Sequence, residues 1–227
     1  MSLNDDLLGA KSLSAAKKAL DAGADPNAVD DEGVSALHHA VQRRKLDLAE
    51  LLVSRGANLD MRDREDGYTP LHVLCKSKSG VMSKAEIAAA LWLIEKGSDV
   101  GATSDGNETP LHLAAASGSH EVIEALLAKG AKPTRDKWGN MPLHRCLSTN
   151  ERDTWVWEKL LASGCSLEDF NDSHETPLLE AQVCWNHFAV KWLLAKGADR
   201  SAKDGEGKTA LERAEALNQE KIIKLLR

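Results

Sequence analysis

The chain has 227 residues, of which 42% are hydrophobic and 4% aromatic, and its formal net charge is −6 at pH 7. This length accommodates one or two domains with a packed core. The acidic balance argues against a general nucleic-acid binder, which is normally basic, and against adsorption to an anionic membrane surface. No run of residues approaches the roughly 18 apolar residues that a membrane span needs. We therefore expect neither nucleic acid nor a membrane as a partner.

The first residues and the cysteines bear on the cellular compartment. The sequence begins MSLNDDLLGAKSL, with acidic residues where a secretory signal peptide carries basic ones. The four cysteines include no CxxC pair, and a chain of this length does not need disulfides. These features predict an intracellular, cytoplasmic protein.

Two short motifs alternate along the whole chain. The first has the pattern Ser/Thr-Pro-Leu-His, with variations, and its copies begin at Ser35, Thr69, Thr109, Met141, Thr176 and Thr209. The second is an apolar pair, two further residues and a glycine, and its glycines are Gly23, Gly56, Gly97, Gly130, Gly164 and Gly197. Recurrence every 32 to 41 residues indicates a repeat architecture, in which each unit buries its apolar face against its neighbours.

Each motif predicts one end of a helix. Thr followed by Pro, as in Thr69-Pro70, places an N-cap before a first-turn proline. The histidine at the third helical position can reach back to the cap, as Glu does in a capping box. The glycine of the second motif supplies the left-handed residue that ends a second helix. The polar, turn-rich dozen residues that follow predict a hairpin-like finger between helix pairs.

These motifs resemble the ankyrin family, whose unit has about 33 residues and a T-P-L-H-x-A signature. The resemblance covers essentially the whole chain. It implies an all-α ankyrin-repeat solenoid of stacked helix-turn-helix units with hairpin-like fingers, in a single domain over residues 1–227. The predicted units are 1–29, 30–62, 63–103, 104–135, 136–170, 171–203 and 204–227. We call the first and last the cap units, and those between them units 1 to 5.

Four local features depart from a regular repeat. In the N-terminal cap unit, Leu13, Ala16 and Leu20 are predicted to form the inner apolar stripe. Unit 2 carries seven extra residues around 76–84, between its helices, and we expect this insertion to be mobile. Unit 4 carries two extra residues within 148–153. It also has Met141 in place of the capping threonine, and losing a cap typically costs about 1 kcal/mol.

The signature residues are predicted to have structural roles. The histidines are expected to bond cap and backbone groups between stacked units, and the threonines to cap helices. The histidines are His38, His72, His112 and His144, and the capping threonines are Thr69, Thr109 and Thr176.

Fragments that suggest chemistry are incomplete. The segment 205–209 looks like the end of a phosphate-binding loop, but the first glycine of that motif would stand at Ala202. Cys184 and His187 could share a metal on one helix, yet no second pair completes a zinc site. No nucleophile with an accompanying base and orienting group is evident. We therefore predict no catalytic residues, no metal and no cofactor.

The resemblance implies that fingers and first helices form a concave face that binds other proteins. Trp138 stands at the tip of a finger, flanked by Lys137 and Asn140. Trp185 replaces the glycine usual at the turn between paired helices. Large aromatic residues that folding does not require are typical binding anchors. The alternative is that each tryptophan packs over its neighbouring turn.

Two further surfaces are candidates. Arg43, Arg44 and Lys76 make the inner turns of units 1 and 2 basic, although most such charge runs are simply solvated. Trp155 and Phe188 occupy equivalent positions on the outer stripe of adjacent units, which suggests an exposed apolar patch. Packing under the 148–153 loop is the alternative for this pair.

Together these features predict a monomeric, non-catalytic scaffold or adaptor that binds a partner protein or peptide. The alternatives are a regulatory or inhibitory subunit, or a secreted effector, with the same fold. An enzyme or a nucleotide-binding regulator is a further alternative.

Overall fold

The computed structural model describes residues 2–77, 80–147 and 153–227, and these residues are helical as predicted. Their helices are α1 Leu3–Leu8, α2 Leu13–Asp21, α3 Ala36–Gln42, α4 Leu46–Ser54, α5 Pro70–Cys75, α6 Lys84–Lys96, α7 Pro110–Ser117, α8 His120–Ala128, α9 Pro142–Leu147, α10 Thr154–Ser163, α11 Pro177–Val183, α12 His187–Ala195, α13 Ala210–Ala216 and α14 Glu220–Leu226. Within the described part, β-pairing is limited to two isolated bridges at the bases of fingers, Val29 with Ser35 and Lys203 with Thr209.

The helices form two rows, because each unit stacks on the next. The first helices contact one another in the order α3, α5, α7, α9, α11 and α13, and the second helices pack behind them. The leucine of the first five signatures lies buried between the rows, since the second helical position faces inward, whereas Leu211 of the sixth is half-buried. These buried leucines are Leu37, Leu71, Leu111, Leu143 and Leu178. The core is therefore one continuous apolar layer along the solenoid.

The N-terminal cap unit differs from the prediction. Helix α1 was not predicted, and it contributes Leu7 to the core. Leu13 was expected in the inner stripe, but it is 40% exposed at the first position of α2. Ala16 and Leu20 are buried, as predicted.

The two predicted insertions lie partly outside the described residues, which omit 78–79 and 148–152. The mobility predicted for 76–84, and the 148–153 loop, therefore stay predictions. On the C-terminal side of the first insertion, Met82 is buried and Ser83 forms a capping box with Glu86. The helix that begins there, α6, has 13 residues, against nine in α4, so the insertion lengthens the second helix.

The fingers are joined by single backbone hydrogen bonds between neighbouring tips. Arg64 N donates to Glu32 O, and the equivalent bonds continue along the chain at 2.8–3.1 Å. The remaining donors are the backbone N–H groups of Asp105, Lys137, Asp172 and Gly205. The finger of unit 2 is one residue longer at its tip, since Asp63 N bonds Tyr68 O whereas Asp30 N bonds Val34 O.

Gly139 is expected to be intolerant of a side chain because its finger closely approaches the next. Its φ is 77°, and an added Cβ would lie 2.7 Å from Asp172 N. Gly139→Ala should lower the free energy of unfolding by about 2 kcal/mol, from left-handed strain and the backbone clash together. Gly23→Ala is the matched control, because Gly23 has φ 99° and nothing within 4 Å of an added Cβ. Urea denaturation should show only about 1 kcal/mol for the control; equal losses would contradict the close-approach argument.

Candidate partner-binding face

The signature histidines join neighbouring units behind the concave face. The Nδ1 atom of each accepts a hydrogen bond from the backbone N–H of its own cap residue, at 3.1–3.3 Å. Because a backbone N–H can only donate, Nδ1 must be unprotonated and the ring hydrogen sits on Nε2. Nε2 then donates to a carbonyl of the next unit at 2.9–3.2 Å. The acceptors for His38, His72, His112 and His144 are the carbonyls of Tyr68, Glu108, Asn140 and Glu175.

Burial keeps these rings neutral. Desolvation lowers the pKa of His38, His112 and His144 below the ordinary value, and that of His72 to about 4. A neutral imidazole with both nitrogens engaged has no free position for proton transfer or metal binding. These contacts and this burial suit a structural role for the four histidines, which stays a prediction.

The cap residues differ in how much of the hydrogen-bonding between cap and histidine they retain. Thr69 and Thr109 place Oγ1 at 2.8 and 2.9 Å from Nδ1 of their histidines. Thr176 caps α11 alone, because Leu179 stands in the histidine position. Met141 lacks a side-chain acceptor, yet its N–H still bonds His144 Nδ1, so half of the motif remains at the start of α9.

Trp138 lies at a finger tip and is 48% exposed. Its backbone is fixed, since its N–H donates to Asp136 Oδ1 and its carbonyl accepts from Asp172 N. Lys137 Nζ lies 4.4 Å from the centre of the Trp138 ring. The finger therefore presents an indole and a cation together on a rigid support.

The Asn140 side chain forms hydrogen bonds within its own finger and to the next one. Its Nδ2 donates to Asp136 Oδ2, and its Oδ1 accepts from Asn171 Nδ2 of the next finger. A side chain with both polar atoms engaged in joining fingers has little capacity to bind a partner. We interpret Asn140 as a structural residue rather than a contact residue.

Trp185 lies far from Trp138 along the first helices. Trp138 is on a finger, whereas Trp185 follows the C-terminal end of α11, whose seven residues span about 10 Å. Trp185 is 56% exposed and has φ 58°, in the left-handed region. Gly118 occupies the equivalent turn with φ 67°. Folding therefore does not favour a tryptophan at this turn.

Replacing Trp185 with glycine should leave stability unchanged or raise it by about 0.5 kcal/mol. Relief of left-handed strain favours the variant, and the greater freedom of glycine in the unfolded chain opposes it. Gly118→Ala at the equivalent turn is the control and should lower stability by about 1 kcal/mol. Chemical denaturation measures both. A loss above 1 kcal/mol for Trp185→Gly would show instead that the indole packs into the fold.

The basic surface of units 1 and 2 is largely paired. Arg44 forms an ion pair with Glu86 at 3.1 Å, and Lys76 forms one with Asp66 at 3.2 Å. Lys76 Nζ also lies over the Tyr68 ring. Arg43 is exposed. This surface therefore carries less uncompensated positive charge than the sequence suggested.

The Trp155 and Phe188 pair is less exposed than predicted. Both side chains are half-buried, and the Trp155 ring stacks on His120 with centroids 4.1 Å apart. His120 Nε2 also lies 2.5 Å from Asp153 Oδ2. Because a ring that packs on its neighbour offers less free surface, the predicted outer patch is smaller than expected.

The sequence analysis did not identify carboxylates that bridge units along the concave face. Glu108 accepts a hydrogen bond from Tyr68 Oη at 2.7 Å and pairs with Arg145 at 2.5 Å, which joins units 2, 3 and 4. Glu175 forms a similar pair with Arg213 at 2.8 Å. A usable signal was present, because each glutamate directly precedes a capping threonine and its arginine lies 37 or 38 residues later.

The described residues show no cluster of three or more His, Cys, Asp or Glu side chains arranged to hold a metal. Across the same residues, every helix is too short or too polar to cross a membrane. The segment 205–209 is a finger, in which Lys208 pairs with Glu206 at 2.8 Å.

The stacked helix pairs, linked fingers and inter-unit histidines define a helical repeat solenoid. A family model described as ankyrin repeats, in three copies, matches residues 8–104 and 80–169. The chain therefore belongs to the ankyrin-repeat family, whose repeats are general protein-interaction modules.

Three known proteins illustrate the similarity. The chain is 31% identical over 211 residues to the E3 ubiquitin-protein ligase KEG of Arabidopsis thaliana, which covers 86% of this chain but only 12% of the ligase. It is 28% identical over 186 residues to the probable 26S proteasome regulatory subunit p28 of Saccharomyces cerevisiae. This match covers 80% of the present chain and 78% of the yeast subunit. An ankyrin repeat domain from Acinetobacter baumannii superposes with a TM-score of 0.70 at 28% identity, covering 84% of this chain and 95% of that domain.

Proposed function

We propose that this chain is a non-catalytic scaffold that binds a partner protein or peptide through its concave face of fingers and first helices. The observation that carries the proposal is the exposure of Trp138 and Trp185, at 48% and 56%, on that face. Exposing an indole has no benefit for folding. Tryptophans that become buried in an interface are, by contrast, over-represented among the residues that dominate binding energy. Lys137 beside Trp138 adds a polar contact.

A non-catalytic role is supported by the state of the titratable groups. The four signature histidines are neutral and hydrogen-bonded on both nitrogens, and burial raises the pKa of Cys75 and Cys165 to about 12. A protonated, buried thiol is a poor nucleophile. These groups therefore suit packing better than acid–base or nucleophilic chemistry.

A regulatory subunit is the second candidate, because the yeast regulatory subunit p28 matches this chain over most of both lengths. In that case the partner would be a larger assembly, and the same concave face would bind it. The cytoplasm is the proposed location and a monomer the proposed state of the free chain.

Affinity capture followed by mass spectrometry would identify the partner, and titration of the purified pair would test the proposal. Thermal melts with nucleotides and divalent metals give the discriminating control, since a protein-binding scaffold should show no shift with either. A reproducible stabilisation by a nucleotide would favour a nucleotide-binding regulator. Small-angle scattering should show an elongated monomer; a stable dimer would contradict the proposed state.

A further inference from the structure

A groove of about 430 Å³ lies at the C-terminal end of the solenoid, between the last two fingers and α13. We call it the C-terminal groove. Its lining combines three carboxylates, two cations and an apolar side chain. These are Glu175, Asp204, Glu206, Lys208, Arg213 and Leu217.

The cations of the C-terminal groove are already paired. Arg213 Nη1 lies 2.8 Å from Glu175 Oε1 and 3.1 Å from Asp204 Oδ2, so one guanidinium serves two carboxylates. Lys208 pairs with Glu206 at 2.8 Å. The lining therefore keeps an excess of negative charge.

Glu180 on α11 lies outside this lining, and burial raises its pKa, which disfavours its charged form. Three carboxylates thus line the groove beside two cations. A further cation brought by a ligand would meet a complementary potential here.

Exposed apolar side chains lie at the C-terminal ends of α11 and α13, where Leu217 forms the end of the groove. Val183 ends α11, Trp185 follows it, and Leu217 caps the adjacent α13; all three are exposed, Leu217 at 52%. They account for three of the eight large hydrophobic residues exposed in the described chain. A cluster of this kind beside a polar rim is typical of an interaction surface.

We propose that the C-terminal groove binds a segment of a partner protein that presents a lysine or arginine to the carboxylates and an apolar side chain to Val183, Trp185 and Leu217. The two subsites are separated by about the length of α13, whose seven residues span roughly 10 Å. A short helix or extended segment can place a basic and an apolar residue at that separation. This inference rests on the proposed binding function and names the chemistry of the partner.

The test is selection of a phage-displayed random peptide library on the full chain, followed by titration of the enriched peptides as synthetic probes. Enriched peptides should combine a basic residue with an aliphatic or aromatic one. Glu206→Lys and Leu217→Ser should each weaken binding about tenfold. Both side chains are exposed, so both variants should fold.

Glu32→Lys is the matched control, because Glu32 occupies the same finger position as Glu206 in the first finger. It makes the same charge change and should leave peptide affinity unchanged. The inference would be overturned by any of three results: enriched peptides that are acidic, equal losses of peptide affinity in Glu32→Lys and Glu206→Lys, or no peptide whose affinity differs between the groove variants and the natural chain. If a captured partner binds while those outcomes hold, the proposed scaffold function stands and only this groove assignment fails.

Discussion

Lowering the pH from 7 to 4.5 is expected to destabilise the solenoid strongly, because buried histidines that are neutral in the native state bind protons on unfolding. Above pH 6.5 the imidazole rings are neutral in both the folded and the unfolded chain, so the histidines do not reduce the free energy of unfolding. As the pH falls below 6.5 the unfolded chain takes up protons first, and the free energy of unfolding decreases until the native rings titrate. For His72, whose native pKa is about 4, this amounts to about 3 kcal/mol.

The geometry explains why these histidines resist protonation. A second hydrogen would sit on Nδ1, which accepts the N–H of the cap residue, Thr69 in the case of His72. Protonation would therefore place two donors against each other as well as bury a charge. Since burial also lowers the pKa of His38, His112 and His144, their losses add to that of His72 as the pH falls below 6.5.

Urea denaturation at several pH values between 7 and 4.5 measures this effect. His72→Leu copies the residue that unit 5 carries at Leu179; it should cost about 1–3 kcal/mol at pH 7, because the Glu108 carbonyl loses its donor. It should then lose less on acidification than the natural chain. His174→Asn, at an exposed finger position, is the control. Equal stability of the natural chain at pH 7 and 5 would show that the histidines are not neutral bridges.

Replacing both Trp138 and Trp185 with alanine is expected to weaken binding of the captured partner about a thousandfold. Truncating one central aromatic anchor typically costs about 2 kcal/mol, or thirtyfold in affinity. The two effects should add, since Trp138 lies on a finger and Trp185 at the opposite end of the first helices. The melting temperature should change little because both indoles are exposed.

Single variants, the double variant and Leu3→Ala should be compared by titration and thermal melt. Leu3→Ala removes an exposed apolar side chain from the N-terminal cap unit and should leave affinity intact. Undiminished affinity of the double variant would move the interface to the basic turns at Arg43, Arg44 and Lys76, or to Trp155 and Phe188. A large drop in melting temperature would instead place the tryptophans in the core.

Sequence patterns predicted the helix starts because each depends on adjacent residues. Thr109 and Pro110 define a cap and a first turn whatever lies elsewhere in the chain. Helix α1 was missed because it lacks the repeat signature, although Ser2 and Asp5 form a capping box that the sequence contains. The same local capping rules therefore apply to α1 and α7, but α1 lies outside the repeat motif.

Contacts between units could not be predicted in the same way as helix starts, because they depend on how the units stack. Glu108 meets Arg145, 37 residues later, only because their two adjacent units stack in a fixed register. The hydrogen bond between Asn140 and Asn171 depends on the same register, since Asn171 belongs to the next finger. The exposure of Trp138 was predictable, because a finger tip has no apolar layer above it.

Amide hydrogen exchange of the chain, free and with its captured partner, tests the central claim most directly. The claim is that the concave face binds a protein. We predict that the partner slows exchange in the fingers at 136–140 and 171–175 and at the turn 184–187, with the second helices α8 and α10 unchanged. Slowed exchange confined to α8, α10 and α12, with the fingers unaffected, would contradict the claim.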